Sequence, residues 1–400
     1  MRLADRTSRI SSSPTMDITA TVDRLRREGI EIIDLGAGEP DFPTPAQIVL
    51  AGHAAIDAGF TRYTPVRGIA DLQRAVCERY RVDYGVHYAE SQVIITAGGK
   101  QALFNTALAV FNPGDEVITH TPHWPTLSEQ IKLADATPIL VSTHAEEGFA
   151  IRAKGLLDAV TPRTRGIVIN SPCNPTGALI SETELETVAR EAAKRDIWVI
   201  VDLCYERLIY EPGTHNLPAV LARHCPEQGV LCGSVSKTYA MTGWRCGWTI
   251  APAAVVAAEG AIQSHATSNV SSITQKAAVA ALAGSQEPVA HMLNEYRKRR
   301  DSLHQWLNTN PRVRCGIPAG AFYMFVDISD ALSLDGFRTS AEFARALLDE
   351  MRVAVTPGEA FDAPGFIRLS YATSMDNLRE GSRRLLEFIG PHVPTPQPVG

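Results

Sequence analysis

From about residue 90 the chain alternates between short apolar runs and stretches with apolar residues at helical spacing. The runs are Val93-Ile94-Ile95, Glu116-Val117-Ile118, Pro138-Ile139-Leu140-Val141, Ile167-Val168-Ile169, Trp198-Val199-Ile200-Val201 and Val230-Leu231-Cys232. Their length suits strands buried on both faces. Between several of them lie helical patterns, GGKQALFNTALAVF and SETELETVAREAAKR. The second opens with a capping box, Ser181 to Glu184. Strands separated by helices predict an α/β unit with a mostly parallel sheet flanked by helices.

After about residue 285 the pattern changes. It predicts a long amphipathic helix over 288–307, a strand over 322–326, a helix over 340–351, a strand over 366–370 and a last helix over 375–389. These elements predict a smaller α+β domain. The expected division is a large domain over 46–286, with 1–45 and 287–400 forming the small domain and its N-terminal arm. The start, MRLADRTSRISSSPT, is Arg- and Ser-rich like a transit peptide, but it carries Asp5 and lacks the apolar region of a secretory signal. It reads as an arm of the folded protein. The tail VPTPQPVG is Pro-rich.

Composition narrows the picture only modestly. A chain of 400 residues that is 45% hydrophobic suits a soluble protein of about two domains. The net charge of -6 argues against nucleic acid as a partner. No apolar run approaches the roughly 18 residues that span a membrane. Seven cysteines without a C-x-x-C pair point to reduced thiols and a cytoplasmic location.

In an open α/β sheet, ligands bind beyond the carboxyl ends of the strands. After VIIT comes AGGKQ, a Gly-Gly turn opening a helix whose free N–H groups suit a phosphate. It is not a P-loop, because Gln101 follows Lys100. Trp124 follows the next run. After GIVIN comes SPCNPTG, with Asn174 held extended by Pro175. Asp202 follows IWVIV directly, with Tyr205 three residues on. A carboxylate there is costly without a cationic partner. After VLCG comes SVSKTYAMTGWRCGW, which sets Lys237 among hydroxyls and Arg245 among glycines and tryptophans. The ligand so described is flat and phosphorylated, has a ring nitrogen that wants a carboxylate, and reacts with an amine. Pyridoxal 5'-phosphate matches each point.

The sequence resembles a class I aminotransferase, a fold type I pyridoxal-phosphate enzyme, and within that class the bacterial aspartate aminotransferase subgroup most. The resemblance spans AGEPDF, RYTPVRG, GGKQALFN, NSPCNPTG, Asp202 with Tyr205, SVSKTYAMTGWRCGW, GAFYMF and FIRLSYATS. It implies a seven-stranded large-domain sheet and a ping-pong exchange of an amino group between an amino acid and a 2-oxo acid. Lys237 would form the Schiff base and move the proton. Asp202 would pair with the ring nitrogen, Tyr205 and Asn174 with the ring oxygen, and Trp124 would stack on the ring. Ser234, Ser236, Arg245 and the backbone of Gly99 and Lys100 would hold the phosphate. Tyr63 would reach the phosphate of a neighbouring subunit, implying a homodimer with shared sites. Arg368 would bind the substrate α-carboxylate, with Asn174 and the backbone of Gly38. The resemblance also implies cis peptides before Pro122 and Pro175.

Substrate choice turns on Lys100. The region 261–276, where some relatives of the family carry an arginine for a distal carboxylate, has none here. The lysine of the Gly-Gly-Lys turn takes that role in the bacterial subgroup, which implies aspartate and glutamate as donors. The other readings are an aromatic or broad-specificity aminotransferase, a carbon–sulfur lyase on the same fold, and a non-enzymatic regulator. The last needs a DNA-binding domain ahead of AGEPDF, which begins at residue 37. A zinc site at His120 and His123 lacks a third ligand. Gly233-Ser234-Val235-Ser236 is not the G-x-S-x-G of a hydrolase.

Overall fold

The six apolar runs all become strands of one sheet. The computed structural model describes residues 3–11, 14–211 and 215–390, so the tail 393–400 lies outside the described residues. Twelve strands are present among them: β1 (Ile33–Asp34), β2 (Val93–Thr96), β3 (Glu116–Thr121), β4 (Thr137–Ser142), β5 (Thr164–Asn170), β6 (Trp198–Asp202), β7 (Gly229–Ser234), β8 (Gly247–Ile250), β9 (Tyr323–Asp327), β10 (Val353–Ala354), β11 (Thr356–Pro357) and β12 (Phe366–Ser370). The large sheet runs β2-β8-β7-β6-β5-β3-β4. Its strands are parallel except β8, which lies antiparallel between β2 and β7.

Alternate residues of each central strand feed two separate cores. Ile95, Ile167, Ile169, Val199, Val201 and Leu231 face one side. There they meet the helices Ala46–Asp57, Ala70–Tyr84, Glu182–Lys194 and Ser272–Ala283 through Ile48, Val76, Leu185 and Ala277. Ile94, Val117, Val168, Ile200 and Val230 face the other side, against the helices Gly99–Val110, Thr126–Leu133 and Ala253–Ala266. Burial on both faces is why these strands read as continuous apolar runs. Strand β4 departs from that expectation: it is the sheet edge, and Leu140 is 44% exposed.

Strands β11, β12 and β9 form a small antiparallel sheet, and β1 pairs with β10 in parallel. Their core gathers Leu35, Tyr296, Phe322, Phe343, Ile367 and Leu385. Tyr205 and Leu208, from the segment after β6, join this second core. The N-terminal segment touches both units. Val22 and Leu25 pack with Ile32 and Ala354, while Arg9 pairs with Asp135 at 2.6 Å and the Ser11 N–H donates to Glu129 at 2.9 Å. No helix of the described residues is long and apolar enough to cross a membrane.

The capping box at Ser181 forms by half. Ser181 Oγ accepts from the Glu184 N–H at 3.2 Å. The Glu184 carboxylate instead accepts from the Ala153 N–H at 2.6 Å, so a tertiary contact replaces the return bond. The peptides before Pro122 and Pro175 are cis, as the resemblance implies, and so is the one before Pro172.

One carboxyl is sealed inside the second face of the sheet. Glu259 is fully buried and lies 2.7 Å from Thr106 Oγ1. That hydroxyl also reaches Ala102 O at 2.9 Å and has one proton for the two acceptors. A protonated Glu259 completes the set, and burial pushes its acid up to about 8. The folded state therefore keeps a proton that the unfolded chain loses above its ordinary value of 4.5. Stability contributed here falls as pH rises from about 4.5 through about 8. Glu259→Gln should flatten the decline in melting temperature across that window, measured by thermal scans at successive pH values. An unchanged slope would place the proton elsewhere.

Candidate active site

Asp202 is the last residue of β6, directly beside Asn170, the last of β5. Asn170 Nδ2 donates to Asp202 Oδ2 at 3.1 Å, and the Cys204 N–H donates to Oδ1 at 3.0 Å. Asn170 Oδ1 accepts from the Asn174 N–H at 2.8 Å, and its own N–H donates to His120 Nε2 at 3.3 Å. One amide thus fixes Asp202 and Asn174 together. Asp202 is 2% exposed and has no lysine or arginine partner among the described residues. Burial pushes its carboxyl up to about 7. The two histidines of the zinc reading are both buried, and His123 Nε2 lies 3.0 Å from Ser128 Oγ.

Lys237 stands three residues past β7. Its Nζ donates to Gly38 O at 2.5 Å, which ties the AGEPDF segment to the lysine. Burial pushes the ammonium below the ordinary lysine value against the pull of Glu39, and Arg368 and Arg245 push the same way. The free base is therefore closer to hand than in an exposed lysine.

The helix Gly99–Val110 starts at the end of β2 and offers its first N–H groups. The packing around this helix start needs glycine twice, once in the turn before it and once on β8. Gly98 has φ +84°, and a Cβ there would lie 2.6 Å from Arg245 Nη2. On β8, a Cβ at Gly247 would lie 2.6 Å from Gly99 N. Arg245 donates through Nη2 to Ala97 O at 3.1 Å and through Nη1 to Thr242 O at 3.0 Å. Ser234 closes β7, and its Oγ accepts from the Ser236 N–H at 3.3 Å. A Cβ on Gly99 would sit 3.6 Å from Ser234 Cβ. The fold thus gathers Gly99, Ser234, Ser236 and Arg245 at one place. Lys100 Nζ lies over the Trp124 ring, 4.9 Å from its centroid, and burial and then Arg245 push its ammonium down.

Arg368, on β12, is 2% exposed. It donates through Nη1 to Asn174 Oδ1 at 2.9 Å and through Nη2 to Gly36 O at 2.8 Å and Thr356 Oγ1 at 3.3 Å. Its Nε has no partner, and the Tyr323 and Phe361 rings lie 4.2 and 5.1 Å from its carbon. No carboxylate of the described residues pairs with it. Tyr205 OH lies 2.9 Å from Tyr323 OH. Tyr63 is 90% exposed. A cleft of 860 Å³ opens beside Arg245, between Glu39 and Asn269.

Sequence reasoning missed Asn170, Tyr323, Gly36 and Thr356. Asn170 follows an apolar run directly, as Asp202 does, so the same reading of strand ends was open to it. The residues fit pyridoxal phosphate. A buried carboxylate lacking a cation matches a ring N–H. A helix start with hydroxyls and a guanidinium matches a phosphate. A lysine amine lies nearby.

The comparisons with known proteins agree. The profile of the family "Aminotransferase class I and II" matches residues 30–385. The aspartate aminotransferase of Bacillus subtilis is 39% identical, over 98% of this chain and 100% of its own length. The aspartate/prephenate aminotransferase of Cereibacter sphaeroides is 40% identical, over 96% of this chain and 98% of its own. The crystal structure of the Rhizobium meliloti aspartate aminotransferase superposes with a TM-score of 0.92 at 36% identity, covering 97% of this chain and 99% of that one. That of the Thermus thermophilus enzyme with maleate gives 0.92 at 38%, covering 97% and 100%. The chain belongs to the class I and II aminotransferases, pyridoxal-phosphate enzymes that move an amino group between amino acids and 2-oxo acids.

Proposed function

We propose that this aminotransferase takes dicarboxylic amino acids, aspartate and glutamate, as donors, with oxaloacetate and 2-oxoglutarate as their keto acids. The observation that carries the site assignment is a pair of buried opposite charges that do not meet. Asp202 lacks a cation and Arg368 lacks an anion, with Lys237 in the same site. A pyridine nitrogen supplies the first and a substrate α-carboxylate the second.

Pyridoxal phosphate, when bound, supplies an electrophilic carbon and an electron-accepting ring. The protein does the rest. Asp202 holds a proton on the ring nitrogen through a charge-assisted bond. Tyr205 and Asn174 serve the ring oxygen, and Trp124 covers a ring face. Ser234, Ser236, Arg245 and the N–H groups of Gly99 and Lys100 hold the phosphate. Arg368 orients the substrate by its α-carboxylate, bidentately, as no lysine could. Lys237 would supply the amine that holds the cofactor and, once released, the base that takes the α-proton and returns it across the bound substrate. Residues 46–286 form the cofactor-binding domain in this reading, and the seven free thiols fit a reducing compartment.

Lys100 supports the dicarboxylate choice. Its ammonium lies over Trp124 with no carboxylate partner among the described residues. The names of the relatives point the same way, since aspartate and prephenate both carry a second carboxylate.

Lys237→Ala should still bind the cofactor but lose its covalent absorption band, and turnover should fall by far more than the roughly 10²–10⁴ of acid–base catalysis alone. Near-normal turnover would sink the assignment. Lys100→Ala should lose about 2–3 kcal/mol in kcat/KM for aspartate, the scale of a charged hydrogen bond, while aromatic donors change little. An equal loss for both classes would assign Lys100 to the phosphate instead.

Tyr63, 90% exposed here, serves the site of a second copy in this reading. Mixing Tyr63→Phe subunits with Lys237→Ala subunits should give hybrid dimers with one native site and restored activity. A catalytically competent monomer in sedimentation would contradict the shared site.

A further inference from the structure

Tyr323 touches both halves of the proposed machinery, although nothing above gives it a part. It is 1% exposed, on β9. Its hydroxyl lies 2.9 Å from that of Tyr205, and its ring centroid lies 4.2 Å from the Arg368 guanidinium carbon. A Cβ at Gly38, whose carbonyl holds Lys237, would lie 3.6 Å from the same hydroxyl.

The two phenols form a closed pair. Each carries one proton and can accept as well. One proton lies between the oxygens, so one remains for a third group. If Tyr205 donates to Tyr323, it has only lone pairs left for a ligand. If Tyr323 donates to Tyr205, Tyr205 keeps a proton to give. The choice between these arrangements fixes whether Tyr205 acts as a donor. We propose that Tyr323 is a positioning residue of the transamination: its phenol donates to Tyr205, leaving the Tyr205 proton for the cofactor's ring oxygen, and its ring holds the Arg368 guanidinium where the substrate carboxylate docks. This rests on the roles assigned above to Tyr205 and Arg368.

The electrostatics give the pair its direction. A cation against the face of a phenol eases loss of its proton and makes it the better donor. Burial raises both phenols and Arg368 opposes it in both, but the guanidinium lies against the Tyr323 ring, 4.2 Å from its centroid, and is the foremost influence opposing burial there and the last on Tyr205. A phenol that receives a hydrogen bond is also a stronger donor to the next acceptor. The Tyr323 ring meanwhile offers a flat, rigid face on which the guanidinium rests.

The test uses holoenzyme carrying Tyr323→Phe or Tyr323→Leu, beside Tyr205→Phe and Arg368→Gln. Two quantities are measured: the pH midpoint of the bound cofactor's visible absorption, and the Kd of maleate as an unreactive dicarboxylate. Donation to the ring oxygen steadies the negative charge left there when the site loses its proton, so weaker donation raises the midpoint. Tyr323→Phe keeps the ring and loses the hydroxyl. It should raise the midpoint, by less than Tyr205→Phe does, and leave the maleate Kd within about twofold. Tyr323→Leu loses both and should also weaken maleate about tenfold. A wild-type midpoint in Tyr323→Phe, with Tyr205→Phe shifted, overturns the donor role. Wild-type maleate binding in Tyr323→Leu, with Arg368→Gln impaired, overturns the ring's role. If neither reference variant moves its own readout, the site assignment falls, and this proposal with it.

Discussion

Two opposite charges are buried in one site without neutralising each other, and the architecture around them exists to keep them apart. A carboxylate and a guanidinium inside a protein gain most by pairing. Asp202 and Arg368 are prevented from doing so because each is anchored to a different sheet. Asp202 closes β6 of the large sheet, and Arg368 stands in β12 of the small one. Neutral groups fill their remaining valences: an amide and a backbone N–H for the acid, carbonyls and a hydroxyl for the base. Asn170 and Asn174 bridge the gap without carrying charge.

The same division explains what the sequence revealed. Asp202, Ser234 and the Gly98-Gly99 turn were legible because a polar or special residue directly after an apolar run stands out against its background. Arg368 was legible only through resemblance, since it lies within a strand and its acceptors Gly36 and Thr356 are remote or unremarkable in sequence. Tyr323 was hidden for a related reason: a tyrosine inside an apolar strand looks like core, and its ring is core. Strand β8 was hidden because its first two residues, Gly247 and Trp248, end the lysine motif, and its antiparallel sense is set by distant pairing of Val93 with Ile250. The half-formed box at Ser181 makes the point at smaller scale. The local pattern predicted the cap, and the tertiary neighbour Ala153 took the glutamate.

The glycines beside Arg245 carry a similar constraint in steric form. Gly98 lets the Arg245 guanidinium lie against the backbone, and Gly247 lets β8 approach the helix start. An alanine at either place would meet an atom 2.6 Å away. Among the described residues the guanidinium is oriented by two carbonyls and has no carboxylate partner.

Asn170 gives the acid end a one-way character. Its NH₂ faces Asp202, its oxygen faces the Asn174 N–H, and its own N–H faces a neutral His120 whose ring is held to about 3 by burial. Turning that amide over would set oxygen against carboxylate and hydrogen against hydrogen. The orientation is locked, and the Asn174 N–H and the Asn170 amide both donate in the direction of the acid. In its ionised form Asp202 accepts these two hydrogen bonds, from Asn170 and the Cys204 N–H, and keeps lone pairs for a further donor. Where the acid is ionised, above about 7, the inner end of the site therefore favours a ring that presents N–H over one of the same shape that presents a bare lone pair.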